Sequence, residues 1–373
     1  MLRTTIFFLL AIVFQQPIFS QSIIKVKERF RFRDTVTVDR YEIEKNGFKA
    51  LKLKVDVANY RILNTKDVDF LSQQTITQID LVYTDFPAGE DFTELTRKRL
   101  LEFYIHFPET MNSSVIEWRI VKQTGPKSAS SVGNYFHGFV VYYREMPSIE
   151  EEKRLIMVQV EKNQMTDSSV YKILERNRTW KNTLVVCDVT GSMAPYTLQI
   201  LIWLKANAKL NTFDQVVFFN DDEEKSNDQT SKLDTAGIWD IESKNGRKVV
   251  DLAIEAMKNG NHIENNLEAV CYAINKYPNN LSNIVMIADN WENPCDMELL
   301  NFLKKKGAKI HVVVCGVTDR LNTVYLDIAY ATGGSVHTME QDLEITSNMG
   351  DGRTINLGDM KFKMVGGAFT QIK

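Results

Sequence analysis

The chain has 373 residues, of which 44% are hydrophobic and 25% are charged. This composition is typical of a globular protein and excludes fibrous and disordered classes, and the length is sufficient for two domains. The formal net charge of -3, from 45 Lys+Arg against 48 Asp+Glu, gives no overall attraction for nucleic acid or anionic lipid, so we expect no nucleic-acid partner.

The first 20 residues have the pattern of a secretory signal peptide. Arg3 supplies a positive charge, residues 6–14 form an apolar core, and Ser20 is a small residue before a predicted cleavage site at Gln21. The apolar run is shorter than the roughly 18 to 20 residues that a membrane span needs. The sequence therefore predicts an exported protein of bacterial type, periplasmic, cell-surface or secreted, without a stable membrane anchor.

Residues 21–146 are predicted to form a smaller, strand-rich α+β domain. Apolar and charged residues alternate over residues 51–57 and 116–120, which is typical of half-buried strands. A helix predicted from Asp91 to His106 would cover one face of the resulting sheet. We find no catalytic constellation in this part of the sequence.

Residues 147–180 are predicted to form a charged helical connector. Ser148 and Glu151 make a capping box for its first helix, and a shorter helix starts at Asp167 or Ser168. The connector leads into the second half of the chain.

Residues 181–345 alternate strands and helices, as a doubly wound, mostly parallel α/β sheet requires. Residues 346–373 are predicted to add a C-terminal hairpin around Gly358. The predicted strands of the sheet are at 184–188, 215–219, 237–241, 283–288, 309–315 and 335–339.

The stretch from Leu184 to Met193 contains the main candidate site. Four apolar residues run into Asp188, and Thr190 and Ser192 follow at alternate positions. Carboxylate and hydroxyl oxygens are hard ligands of the kind that Mg²⁺ and Mn²⁺ prefer. Asp289 also follows a predicted strand. If the winding of the sheet reverses between these two strands, the two carboxylates face one crevice and need a cation or a proton between them.

The residues Asp188-Val189-Thr190-Gly191-Ser192-Met193 resemble the Asp-x-Ser/Thr-x-Ser signature of von Willebrand factor type A domains. The resemblance covers residues 181–345 and implies a Rossmann-like, doubly wound sheet with a metal-ion-dependent adhesion site. It implies that Asp188, Thr190 and Ser192 are metal ligands and that Asp289 is the acidic residue after the fourth strand. The implied cation is Mg²⁺, with Mn²⁺ or Ca²⁺ as alternatives.

One position departs from the pattern of that family. The resemblance implies a ligand Thr before a helix, where this chain has Glu264 followed by Asn265 and Asn266. Glu264 is our candidate ligand, and either asparagine remains an alternative. A carboxylate or amide oxygen still suits a hard cation, but the added negative charge lowers the demand for an acidic residue from a partner.

Three functions are compatible with these residues. The first is a non-enzymatic binding protein whose metal binds a protein ligand, with an acidic side chain of the ligand as one way to complete the coordination. The second is a metal-dependent phosphohydrolase, although no second carboxylate lies two residues after Asp188. The third is a scaffold that recognises its partner through the N-terminal domain.

The four cysteines form no CxxC pair, and the sequence does not decide whether Cys271 and Cys295 form a disulfide. The five histidines show no metal-ligand spacing, which disfavours zinc.

Overall fold

The computed structural model has an α/β architecture, as predicted, with mixed parallel and antiparallel sheets. The residues that the structure describes are 32–111, 113–145, 154, 158, 169–207, 213–220, 237–244, 246–257, 264–345 and 349–372. The predicted signal peptide at 1–20 and the predicted capping box at Ser148 lie outside these residues. Within the described part of the chain, every helix is too short or too polar to cross a bilayer.

A five-stranded mixed sheet occupies the N-terminal part, with the strand order β1-β4-β3-β5-β2. Its strands are β1 (Phe32–Val38), β2 (Lys49–Lys54), β3 (Thr75–Thr84), β4 (Glu117–Gln123) and β5 (Gly138–Arg144). β1, β4 and β3 run parallel, whereas β5 is antiparallel to both of its neighbours. The helices beside it are α1 (Thr65–Leu71), α2 (Thr93–His106) and α3 (Ala129–Val132).

Helix α2 covers one face of this sheet. Its Phe103 ring packs on Trp118 of β4 and Phe139 of β5, with ring centroids 5.2 and 4.6 Å apart. On the other face, Asp80 is fully buried and receives two hydrogen bonds from Arg119, at 2.7 and 2.6 Å. A paired, hydrogen-bonded carboxylate is the form in which an acid is tolerated inside a protein.

The second sheet has seven strands in the order β12-β11-β10-β9-β6-β7-β8. Its strands are β6 (Thr183–Asp188), β7 (Phe213–Phe219), β8 (Ile238–Glu242), β9 (Ile284–Asp289), β10 (Ile310–Cys315), β11 (Ser335–His337) and β12 (Asp342–Glu344). The helices around it are α4 (Ser169–Arg176), α5 (Ala194–Asn207), α6 (Gly246–Ala256), α7 (Asn266–Lys276), α8 (Leu300–Lys306) and α9 (Thr323–Thr332).

The five inner strands are parallel, and the two edge strands, β8 and β12, are antiparallel to their neighbours. From β6 the chain moves outward through β7 to β8, then returns to the other side of β6 and continues through β9, β10 and β11. The winding direction therefore reverses between β6 and β9, which is compatible with the predicted doubly wound fold.

Strand β6 is apolar throughout because both of its faces are covered. Leu184 and Val186 belong to the apolar core on one side of the sheet, and Val185 and Cys187 belong to the core on the other side. A central parallel strand with helices on both faces has no solvent side, so it needs no polar alternation. The chain turns polar at Asp188, where β6 ends.

Two glycines end helices in the left-handed conformation, Gly307 after α8 (φ 73°) and Gly333 after α9 (φ 67°). A left-handed glycine is the commonest way for a helix to end. Gly334 is needed for a different reason. A Cβ atom at this position would lie 1.7 Å from the carbonyl oxygen of Ile310, so only glycine lets β11 approach β10 this closely.

The C-terminal residues form one strand more than the predicted hairpin. Three antiparallel strands, β13 (Thr354–Leu357), β14 (Met360–Val365) and β15 (Ala368–Ile372), make a separate sheet. The second turn is made by Gly366 and Gly367, both with positive φ, at 60° and 83°. Two such residues are typical of a tight hairpin turn. This sheet packs on α9 and does not extend the seven-stranded sheet.

Candidate metal centre

Three acidic side chains meet beyond the carboxyl ends of the two central strands. Asp188 is the last residue of β6, Asp289 is the last residue of β9, and Glu264 lies two residues before α7. One oxygen of each can be chosen so that all lie within 4.8 Å of one another. We call these three residues the acidic cluster. Their side chains are buried, with 0%, 1% and 3% of the surface exposed for Asp188, Asp289 and Glu264.

The two hydroxyls of the predicted signature lie at the same place. The backbone N–H of Thr190 donates to Asp188 Oδ1 at 2.7 Å, which closes the turn after β6. The Thr190 hydroxyl donates to Glu264 Oε1 at 3.1 Å and lies 3.1 Å from Ser192 Oγ. The structure thus brings all five predicted site residues, Asp188, Thr190, Ser192, Glu264 and Asp289, into one group.

Among the described residues, each acid of the cluster has one oxygen without a donor. Asp289 Oδ1 accepts from the backbone N–H of Trp291 at 2.7 Å, but no donor in the described part of the chain bonds to Asp289 Oδ2. The same holds, among the described residues, for Asp188 Oδ2 and Glu264 Oε2. Buried oxygens without a partner are costly, and three of them beside two hydroxyls fit a hard divalent cation such as Mg²⁺.

The protonation behaviour of the cluster follows from its burial. Loss of solvent, and then the charge of Asp289, raise the pKa of Asp188 to about 7. Burial first, and then the charges of Asp188 and Asp289, hold the pKa of Glu264 well above its ordinary range. Burial also raises the pKa of Asp289. Three close carboxyls therefore need either protons or a cation to be stable inside the protein.

The segment that carries Glu264 is fixed by the loop after β9. The backbone N–H of Cys295 donates to the Glu264 carbonyl at 2.9 Å, and the Cys295 thiol donates to Asn265 Oδ1 at 2.6 Å. Asp296 Oδ2 accepts from the backbone N–H of Glu268 at 2.6 Å and so caps α7. Cys295 and Cys271 are both free thiols.

The two asparagines beside Glu264 differ in their surroundings. Asn265 is engaged by the Cys295 thiol. Asn266 is fully buried, and its amide oxygen and nitrogen have no hydrogen-bond partner among the described residues. The cluster itself is completed by the Glu264 carboxylate.

The five-stranded sheet also reaches the acidic cluster. Arg144, the last residue of β5, donates through Nη2 to the Ser192 carbonyl at 3.3 Å, and its positive charge lowers the pKa of Asp289, against the larger effect of burial. Arg144 could not be identified from the sequence, because a single arginine at a strand end carries no motif. Asp296 could not be singled out either, since its capping role depends on a contact across 28 residues.

Two further contacts join the N-terminal part of the chain to the carboxyl-end edge of the seven-stranded sheet. The Ser114 hydroxyl accepts from the backbone N–H of Thr323 at the start of α9 (3.1 Å), and Glu117 pairs with Arg320 in the loop after β10 (3.4 Å). A cleft of about 120 Å³ lies between the halves, lined by Trp291 of the loop after β9 and by Gln78 of β3 among others. The five-stranded sheet thus lies against the loops that carry the acidic cluster.

Comparison with known protein families finds no family model that matches this chain, and comparison with curated proteins finds no match either.

Proposed function

We propose that this chain is a non-enzymatic binding protein that holds a divalent cation, Mg²⁺ or alternatively Mn²⁺ or Ca²⁺, and uses the metal-bearing edge of its sheet to bind a protein ligand. The ligands of the cation are Asp188, Thr190, Ser192, Glu264 and Asp289. The observation that carries the proposal is the acidic cluster, in which three buried carboxylates each keep one oxygen without a donor among the described residues.

Two further features support a domain of the von Willebrand factor type A class. The Asp188-Val189-Thr190-Gly191-Ser192 signature begins at the last residue of the first strand of the seven-stranded sheet. The winding of that sheet reverses between β6 and β9, so the signature and Asp289 share a crevice where ligands of such sheets bind. The N-terminal signal-peptide pattern adds the proposal that the protein acts outside the cytoplasm, in the periplasm, on the cell surface or after secretion.

Calorimetric titration of Mg²⁺ and of Mn²⁺ into the full chain tests whether the chain binds a divalent cation. We expect one site in the unaltered chain and no site in Asp188→Asn or Asp289→Asn. Glu298→Gln, which removes an exposed carboxylate from the loop after β9, serves as the matched control and keeps the site. A chain that binds neither ion, or an Asp188→Asn variant that binds as the unaltered chain does, contradicts the proposal.

The metal dependence of partner binding completes the test. Once a partner is in hand, EDTA and Asp188→Asn are expected to abolish its binding without unfolding the chain. Partner binding that persists in EDTA would show that the partner is recognised without the metal. The five-stranded sheet would then be the first candidate surface. Turnover of a generic phosphate ester that Asp188→Asn abolishes would replace the binding function by a phosphohydrolase.

A further inference from the structure

The net charge of the acidic cluster with its cation affects which chemical groups of a partner can bind there. Its three carboxylates carry three negative charges when ionised, and a divalent cation supplies two positive ones. Arg144 supplies a third positive charge, since its side chain bonds to the Ser192 carbonyl and acts on Asp289. The cation and Arg144 therefore balance the three carboxylates without any charge from a partner.

Two observations indicate that the Glu264 carboxylate is one of the negative groups that face the cation. Its Oε1 accepts the Thr190 hydroxyl at 3.1 Å, and its Oε2 is buried without a donor among the described residues, as a cation-facing oxygen would be. Its backbone is held by the Cys295 N–H at 2.9 Å, so the carboxylate is positioned by the fold. Glu292 adds one more negative charge near Glu264, so the cation-loaded site has no deficit of negative charge for a partner to fill.

Resting on the proposed function, we propose that Glu264 determines the specificity of the metal centre. Its carboxylate takes the place that an acidic residue of a partner would otherwise fill, so the partner is bound without a carboxylate anchor. A carboxylate brought to this site would add a negative charge to a balanced, buried cluster, and an unbalanced buried charge is strongly unfavourable. Neutral partner groups, which bring no charge, carry no such penalty.

The test uses Mn²⁺ bound to the full chain and N-acetylglutamate amide, which carries one carboxylate, as the probe. The water-proton relaxation enhancement of the bound Mn²⁺ reports whether the probe displaces water from the ion. For the unaltered chain we expect tight Mn²⁺ binding and no change in enhancement up to millimolar probe. For Glu264→Thr we expect Mn²⁺ affinity weaker by about tenfold or more, because a charged ligand is lost, and a loss of enhancement as the probe binds.

Glu264→Gln keeps the size of the side chain and removes its charge, so it gives the same test should the threonine variant fail to fold. Glu298→Gln is the control and is expected to behave as the unaltered chain. A probe response of the unaltered chain equal to that of the variants overturns the inference while the metal site stands. Variants that bind Mn²⁺ but ignore the probe also overturn it. An unaltered chain that binds no Mn²⁺ overturns the proposed function itself, and the inference falls with it.

Discussion

The seven-stranded sheet carries a buried polar cluster near each end of its strands, and the two clusters differ in how well their polar atoms are paired. At the carboxyl ends lies the acidic cluster, with three oxygens that no described donor satisfies. Toward the amino ends lies a group that we call the histidine cluster, made of His311, Ser335, His337 and Asp342. The acidic cluster and the side chains of His311, Ser335 and His337 are buried, whereas Asp342 is partly exposed.

The histidine cluster forms one continuous chain of hydrogen bonds. Ser335 Oγ lies 2.5 Å from His311 Nδ1 and 2.6 Å from His337 Nε2, and His337 Nδ1 lies 2.8 Å from Asp342 Oδ1. Arg176 of α4 closes the chain with hydrogen bonds to both Asp342 oxygens, at 2.9 and 2.5 Å. The chain is consistent with two neutral histidines, in which Asp342 accepts from His337 and Ser335 bridges the two rings.

The contrast between the clusters separates a structural role from a binding role. Buried polar groups that are hydrogen-bonded to one another stabilise a single arrangement and need no ligand to complete their hydrogen bonds. Polar groups left without partners are costly and indicate that something else completes the site. By this criterion the pairing of the histidine cluster supports a structural role, and the unpaired oxygens of the acidic cluster support the proposed cation site.

The largest effect is expected from Ser335→Ala, which removes the hydroxyl bonded to both histidines. Two buried ring nitrogens then lose their partner, and we expect the free energy of unfolding to fall by about 3 kcal/mol. Denaturant unfolding measures this change. Ser243→Ala is the matched control, because the buried Ser243 hydroxyl bonds to a single carbonyl among the described residues, at 2.5 Å. Its cost is expected to be near 1 kcal/mol. A Ser335→Ala variant as stable as the control would show that the histidine cluster does not stabilise the fold.

A smaller effect of opposite sign is expected at the other end of the sheet. In EDTA at pH 8, Asp188→Asn removes one of three crowded buried charges, while its amide oxygen still accepts from the Thr190 N–H. We expect the free energy of unfolding to rise by about 1 kcal/mol, since the repulsion from Asp289 and Glu264 is relieved. Thermal unfolding with and without Mn²⁺ measures both the gain and the lost response to metal. A destabilised variant in EDTA would contradict the view that the cluster is strained without a cation.

The smallest effect concerns pH, which is expected to act on the two clusters in opposite directions. Burial lowers the pKa of His311 to about 4, so its contribution to stability is present above pH 6.5 and is lost as pH falls toward 4. The pKa of Asp188 is raised to about 7, so its contribution in EDTA is present at low pH and is lost as pH rises through 7.

Unfolding free energies in EDTA between pH 7 and 5.5 separate the two contributions. Asp188→Asn is expected to lose stability on acidification more steeply than the unaltered chain. His311→Gln, which keeps a donor for Ser335, is expected to lose about 1 kcal/mol less over this range than the unaltered chain does. If the unfolding free energy depends on pH equally in all three proteins, the prediction that pH acts on the two clusters in opposite directions is wrong.

The order of strands and helices could be predicted from the sequence because it depends on local patterns. The buried strand before Asp188 is apolar on both faces, and the polar residues after it mark its end; the same holds for β9 and Asp289. A strand end places its residue at one edge of the sheet whatever the rest of the chain does, so two members of the acidic cluster were predictable. Edge strand β12 was missed, since its three residues carry too short a pattern.

The partners of the polar side chains were decided by the tertiary structure alone. Arg144 reaches Ser192 across 48 residues, and His311 reaches Ser335 across 24, and no spacing rule connects either pair. From the sequence, Asp188 and His311 are both polar residues in or beside apolar strands. Whether such a residue finds its hydrogen bonds within the chain or keeps an oxygen for a cation depends on which distant segments the fold brings beside it.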